Sequence, residues 1–180
     1  MYFDVNGKRV YAYLKPFPAL KPLLAFLKEH RIPSIVCLDP LSPTTREPFA
    51  CETLRFETAR LDLAHIGQTC DLAVTYGAHA TTIALLRAAR PTLHLPHFLE
   101  HTLNARAAAR TGAALIAKPD DPAAVISQLQ TLLDDDTDRY AHAAHRYADR
   151  HAQFDPMRQA SIVLDRVESV LSSQEVIAIH

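Results

Sequence analysis

Residues 71–101 read DLAVTYGAHATTIALLRAARPTLHLPHFLEH, and their order decides the fold. Asp71 to Thr75 is a short apolar run with strand character that ends in Tyr76-Gly77. A helix starts almost at once, near His79, and stops before Arg90-Pro91, because a residue preceding proline is driven away from helical geometry. "TLHL" (Thr92 to Leu95) returns to strand character, and Pro96 opens a loop carrying Glu100 and His101. Strand, helix and strand packed this tightly read as a parallel crossover unit.

The same alternation extends both ways. Arg9 to Leu14 (RVYAYL) is β-branched and aromatic and is closed by Lys15-Pro16. Leu20, Leu23, Leu24 and Leu27 follow at helical spacing, and Ser34 to Leu38 (SIVCL) is a second strand. A proline-rich loop, DPLSPTTREPF, leads to a short strand around Leu54 to Phe56, and DLAHIGQ has room for one or two helical turns. Downstream, Thr102 to Thr111 is an Ala-rich helix stopped by Gly112, and AALIA is a sixth strand. Asp121 caps a helix with Pro122 at its first position, running to about Leu133. Asp138 to about Ser172 is helical, with a break at QFDPM. The expectation is an α/β fold: a doubly wound, mostly parallel, six-stranded Rossmann-like sheet with C-terminal helices, one domain over residues 1–180.

Bulk properties exclude several classes. With 19 Lys+Arg against 20 Asp+Glu the net charge is −1, so no field points to nucleic acid or a membrane surface. Three cysteines without a CxxC pair fit reduced thiols in a cytoplasmic protein. The N-terminal residues lack a signal-peptide apolar core, and no apolar run approaches membrane-spanning length.

In a parallel sheet, ligands sit beyond the carboxyl ends of the strands. A strand running through Gly77 into a helix gathers unpaired N–H groups and the positive end of the helix dipole, a site for phosphate. Thr81 and Thr82 add hydroxyls, and His79 a further donor. The alternative is a plain turn with Gly77 present for its left-handed backbone. Neither GxGxxG nor a GK[ST] loop is present. His94, His97 and His101 do not form a zinc set, since Pro96 breaks their register and no carboxylate or Cys completes it. They are read as exposed or loop histidines. His142, His145 and His151 lie on a polar, solvated helix, and Cys70 is a packing residue.

Taken together, Tyr76-Gly77-Ala78-His79-Ala80-Thr81, Ala89-Arg90-Pro91, Pro96, Glu100-His101 and Asn104-Ala105 resemble the donor-binding half of the GT-B glycosyltransferases. The likeness is to the macrolide-type and plant UDP-sugar transferases. Their signature runs His-Gly-Gly-x-Gly-Thr, a helix, Gly-x-Pro, an apolar strand, Pro, Asp/Glu-Gln and Asn-Ala. The resemblance implies that residues 77–82 cradle the diphosphate of a UDP- or TDP-sugar and that Glu100 bonds sugar hydroxyls. The donor-binding set is then Tyr76, Gly77, Ala78, His79, Ala80, Thr81, Thr82, Glu100 and His101, with no cofactor and no metal. The sequence departs from the signature in places. Tyr76 replaces the family His and cannot supply positive charge, Ala78 and Ala80 replace glycines, His101 replaces Gln, and Ala84 lies where many members carry a ribose-binding Glu. If Ala78 or Ala80 needs a positive φ, each costs about 1 kcal/mol.

The family also implies an N-terminal acceptor domain holding the catalytic base, for which 180 residues leave no room. The chain is therefore expected to need an acceptor domain or partner chain, as a fragment or one part of a split enzyme. A non-catalytic nucleotide-sugar-binding or protein-interaction module on the same fold is the alternative, with an unrelated α/β nucleotide-binding enzyme third.

Overall fold

Alternating side-chain direction along each strand explains the layers. In the computed structural model, which describes residues 7–38, 42–59 and 61–174, the chain runs β1 (Val10–Leu14), α1 (Leu20–Glu29), β2 (Ser34–Leu38), α2 (Pro43–Arg46), β3 (Leu54–Glu57), α3 (Leu63–Thr69) and β4 (Leu72–Thr75). It continues with α4 (His79–Arg87), β5 (Thr92–His94), α5 (Leu99–Arg110), β6 (Ala114–Ile116), α6 (Pro122–Leu133), α7 (Arg139–Arg150) and α8 (Pro156–Gln174). The described residues divide into two compact units, one reaching to Arg150 and one beginning at His151 and containing α8.

The six strands are all parallel, in the order β3-β2-β1-β4-β5-β6. Val10, Ala12 and Leu14 pack with Leu72 and Val74 against Leu23, Leu24 and Leu27 of α1 and Val125 and Leu129 of α6. The intervening Tyr11, Ile35 and Ala73 point the other way, onto Ile66 of α3 and Leu85 of α4. Both faces of the sheet are covered, as an all-parallel sheet requires. At the amino ends, Arg9 clamps Asp71 through Nε (2.9 Å) and Nη2 (2.7 Å), tying the start of β1 to the start of β4.

Two elements and two histidines differ from expectation. α2 lies inside the stretch read as a proline-rich loop, with Pro43 at its first turn, where the missing N–H is no loss. α5 begins at Leu99 rather than Thr102, so Glu100 and His101 stand in its first turn and not in a loop. His94 is fully buried inside the sheet and His101 is 9% exposed, so neither is an exposed loop histidine. Gly112 does take a left-handed φ of 79° just past α5, and Asp121 accepts from the Ala124 N–H at 3.0 Å as the cap of α6.

Candidate functional site

The order β3-β2-β1-β4-β5-β6 reverses its winding between β1 and β4, and the crevice past the carboxyl ends of those strands is where this architecture receives ligands. Tyr76-Gly77 leaves β4 there and turns directly into α4. Gly77 has φ 90°, and a Cβ at this position would lie 2.9 Å from the His101 carbonyl oxygen. Only glycine fits, because the turn is pressed against the first turn of α5. Asn104 of α5 donates to the Gly77 carbonyl at 3.3 Å, fixing the same approach.

A buried polar chain supports the turn from below. The Gly77 N–H donates to Thr75 Oγ1 at 3.2 Å, and Thr75 Oγ1 lies 3.0 Å from Nδ1 of His94. His94 Nε2 lies 2.9 Å from Thr92 Oγ1. A neutral imidazole has one donor and one acceptor, and two hydroxyls can adapt to either tautomer. Burial pushes the His94 pKa down to about 4, which keeps that neutral ring. The sequence did not mark this chain: a histidine in a short strand looks like a surface residue until β5 is seen to lie between β4 and β6.

The first turn of α4 is uncapped. Ala78 occupies the cap position with φ −60° and offers no side-chain bond, so the leading N–H groups of the helix, just past the carboxyl end of β4, have no side-chain cap. Neither Ala78 nor Ala80 has a positive φ, so the alanines bear no such backbone cost at these signature glycines. The left-handed alanine is Ala89 instead, at φ 58°, just past α4.

The two threonines part company. Thr81, with Ala80, closes a cavity of about 230 Å³ walled by Tyr11, Tyr13, Leu61, Leu63 and Tyr76. Thr82 donates its hydroxyl to the Ala78 carbonyl at 2.9 Å and lines a separate hollow with His79 and Asn104. Tyr76, His97 and His101 gather into one aromatic group, with Tyr76 and His101 ring centroids 5.0 Å apart and Tyr76 and His97 6.3 Å. Burial lowers the pKa of both histidines, and each has a buried ring nitrogen, His97 Nε2 and His101 Nδ1, without a partner among the described residues. Glu100 is exposed beside them.

A larger hollow of about 350 Å³ sits at the opposite, amino ends of β1 and β4. Three of its charged side chains are already engaged. Asp71 is held by Arg9, Lys8 donates to the Leu132 and Asp135 carbonyls, and Arg90 donates to the Gly67 carbonyl. The two buried ring nitrogens without a partner among the described residues, His97 Nε2 and His101 Nδ1, are not in this hollow. Among the described residues, no group of three or more His, Cys, Asp or Glu could hold a metal ion, and no helix is long and apolar enough to cross a membrane.

No family model matches the sequence, and no curated protein matches it significantly. Solved structures do. The glycosyltransferase SnogD from Streptomyces nogalater matches over 91% of this chain and 43% of its own, with TM-score 0.65 and 19% identity. The glycosyltransferase VinC, in complex with dTDP, matches over 91% of this chain and 42% of its own, with TM-score 0.70 and 18% identity. SsfS6, a Streptomyces sp. SF2575 glycosyltransferase complexed with thymidine diphosphate, matches over 85% and 40%, with TM-score 0.60 and 21% identity. The chain thus spans about two-fifths of the length of these glycosyltransferases. At such identities the likeness is one of fold, and the fold is the one the sequence pointed to, that of the C-terminal half of a GT-B glycosyltransferase.

Proposed function

We propose that the chain is the donor-binding half of a glycosyltransferase, taking a UDP- or TDP-sugar at the β1/β4 crevice. The observation that carries this reading is the uncapped α4 N-terminus opening on the winding reversal, on a fold shared with glycosyltransferases of which two were crystallised with thymidine diphosphate. The diphosphate would lie against the first turn of α4, where N–H groups and the helix dipole stabilise the charge that grows as the sugar departs. The aromatic cavity beside Thr81 suits the flat nucleoside end. Glu100 can accept from sugar hydroxyls. The acceptor and the base that deprotonates it would come from a domain or chain outside these 180 residues. A non-catalytic binding module is the second reading. It is favoured by Phe98, Leu99 and Leu103, exposed at 65%, 75% and 56% at the rim, an apolar patch that protein could cover.

Calorimetric titration of the chain with UDP and TDP tests both readings at once. Binding of either, weakened by about 0.5–1.5 kcal/mol in Thr81→Ala, is expected from the loss of one hydrogen bond. No binding of either nucleotide refutes the donor site. Nucleotide binding without transfer, even when an acceptor domain is supplied, favours the module.

A further inference from the structure

The crevice has two walls. One is the first turn of α4, with its partial positive charge. The other follows β1, whose last residues lead into Lys15-Pro16. In the β1/β4 register Tyr13 is opposite Thr75, the last pair, so Lys15 and Tyr76-Gly77 leave the two neighbouring strands at the same end. Lys15 is exposed, and its Nζ stands 4.9 Å from the centroid of the Tyr76 ring. Lys15 belongs neither to the Arg9–Asp71 nor to the Arg31–Glu52 ion pair.

A lysine stem on a strand end would ordinarily sample solvent. Here the face of an aromatic ring attracts the ammonium and gives it a preferred place. That ring does not wander, for Tyr76 is 8% exposed and is braced by Tyr13 at 5.3 Å and His101 at 5.0 Å between centroids. The flanking histidines do not compete as cations. Burial pushes the pKa of His97 and of His101 down, and the charge of Lys15 pushes both the same way. A formal positive charge is thus held at the mouth of the crevice, over the Tyr76 ring, and among the described residues no carboxylate is paired with it.

We propose that Lys15 is the diphosphate-binding cation of this site, carried on the Tyr76 ring and aimed at the anion that the first turn of α4 receives. This rests on the donor-site reading, and its ligand is a nucleoside diphosphate, free or sugar-linked. Lys15 supplies the charge that a tyrosine at position 76 cannot, and Tyr76 serves as its rail.

The test is titration calorimetry of the full chain with UDP and TDP, and with the matching nucleosides, at low and high salt. Lys15→Met should weaken the diphosphate about ten-fold and remove most of the salt dependence, as loss of one charge-assisted contact does. It should leave the nucleoside unchanged. Lys15→Arg should stay within about three-fold of the parent, because a guanidinium keeps the charge and the stacking. Lys15→Gln is a second neutral variant should Lys15→Met not fold, and the salt dependence decides where a nucleoside binds too weakly to titrate. If the neutral variants bind diphosphate as tightly as the parent, with the same salt dependence, Lys15 is not the cation, although the donor site stands. Equal loss for diphosphate and nucleoside would make Lys15 a prop for Tyr76 and overturn the proposal. If the parent binds no diphosphate, this proposal and the donor-site reading fall together.

Discussion

Acid should unfold this protein partly through one buried ring. His94 is fully enclosed between β4 and β6, its nitrogens 3.0 and 2.9 Å from the hydroxyls of Thr75 and Thr92. Burial is the sole cause of its depressed pKa of about 4, against 6.5 for an ordinary histidine. Because the folded value is the lower one, the unfolded chain takes up a proton that the folded chain refuses at intermediate pH. The contribution of the neutral ring is therefore complete above pH 6.5 and drains away as pH falls through about 4. Across that window the loss is about 3 kcal/mol, a large share of the roughly 5–15 kcal/mol that holds a domain together. His94→Leu removes the titration but leaves two buried hydroxyls short of a partner, at a cost of about 1–3 kcal/mol near neutrality. Urea unfolding of both proteins, repeated from pH 7.5 to 4, should show the gap between them closing as pH falls. His97 and His101 are present in both and cancel in the difference. A gap that stays constant with pH, or an NMR titration of the His94 ring with a midpoint near 6.5, refutes the argument.

Other outcomes follow from the backbone and the crevice. Ala89→Gly should stabilise the fold by about 1 kcal/mol in urea unfolding, since Ala89 holds φ 58° where its N–H and that of Arg90 close the end of α4 onto Leu86 and Leu85. A loss instead would mean that its buried methyl matters more than its strained backbone. Gly77→Ala should cost about 2–4 kcal/mol and abolish nucleotide binding, because its Cβ would meet the His101 carbonyl at 2.9 Å and force α5 off the turn. Retention of nucleotide affinity by a folded Gly77→Ala would separate the turn from the site. Glu100→Ala should weaken a nucleotide sugar by about 1.5–3 kcal/mol while leaving the bare nucleoside diphosphate unchanged or slightly tighter, as read by paired titrations.

Most of the sheet was legible because buried parallel strands are short apolar runs, and a run such as Ser34 to Leu38 is too short for a helix and holds β-branched Ile35 and Val36. The limits of α6 were equally clear, since Asp121 and Pro122 announce its start chemically. What escaped notice did so for physical reasons. A proline normally argues against helix, yet Pro43 is harmless at a first turn, which hid α2. α5 opens at Leu99 with extended Phe98 before it and no side-chain cap, so its first turn carries no mark in the sequence. His94 reads from the sequence as an exposed or loop histidine. Only the placement of β5 inside the sheet turns Thr92 and His94 into a closed hydrogen-bonded chain. For the crevice, the resemblance singled out residues between 76 and 101. Lys15 lies far off in sequence and is brought beside Tyr76 by the pairing of β1 with β4.

That pairing also gives the crevice an electrical direction. Positive potential comes from the ends of β1 and β4, through Lys15 and the first turn of α4. Negative potential comes from Glu100 in the first turn of α5, where a carboxylate suits the helix dipole. Glu100 pulls the His101 ring toward its charged form while burial, the stronger effect, pulls it the other way. A ligand with negative charge throughout gains from the first side and is repelled by the second. A molecule that is anionic in its middle and hydroxylated at one end meets each side with the chemistry it needs, since hydroxyls can donate to a carboxylate and a diphosphate cannot. This asymmetry is why removing Glu100 is expected to weaken the sugar-bearing nucleotide and to leave the bare one unchanged or slightly tighter. A site that merely attracted anions would bind both more tightly once that carboxylate was gone.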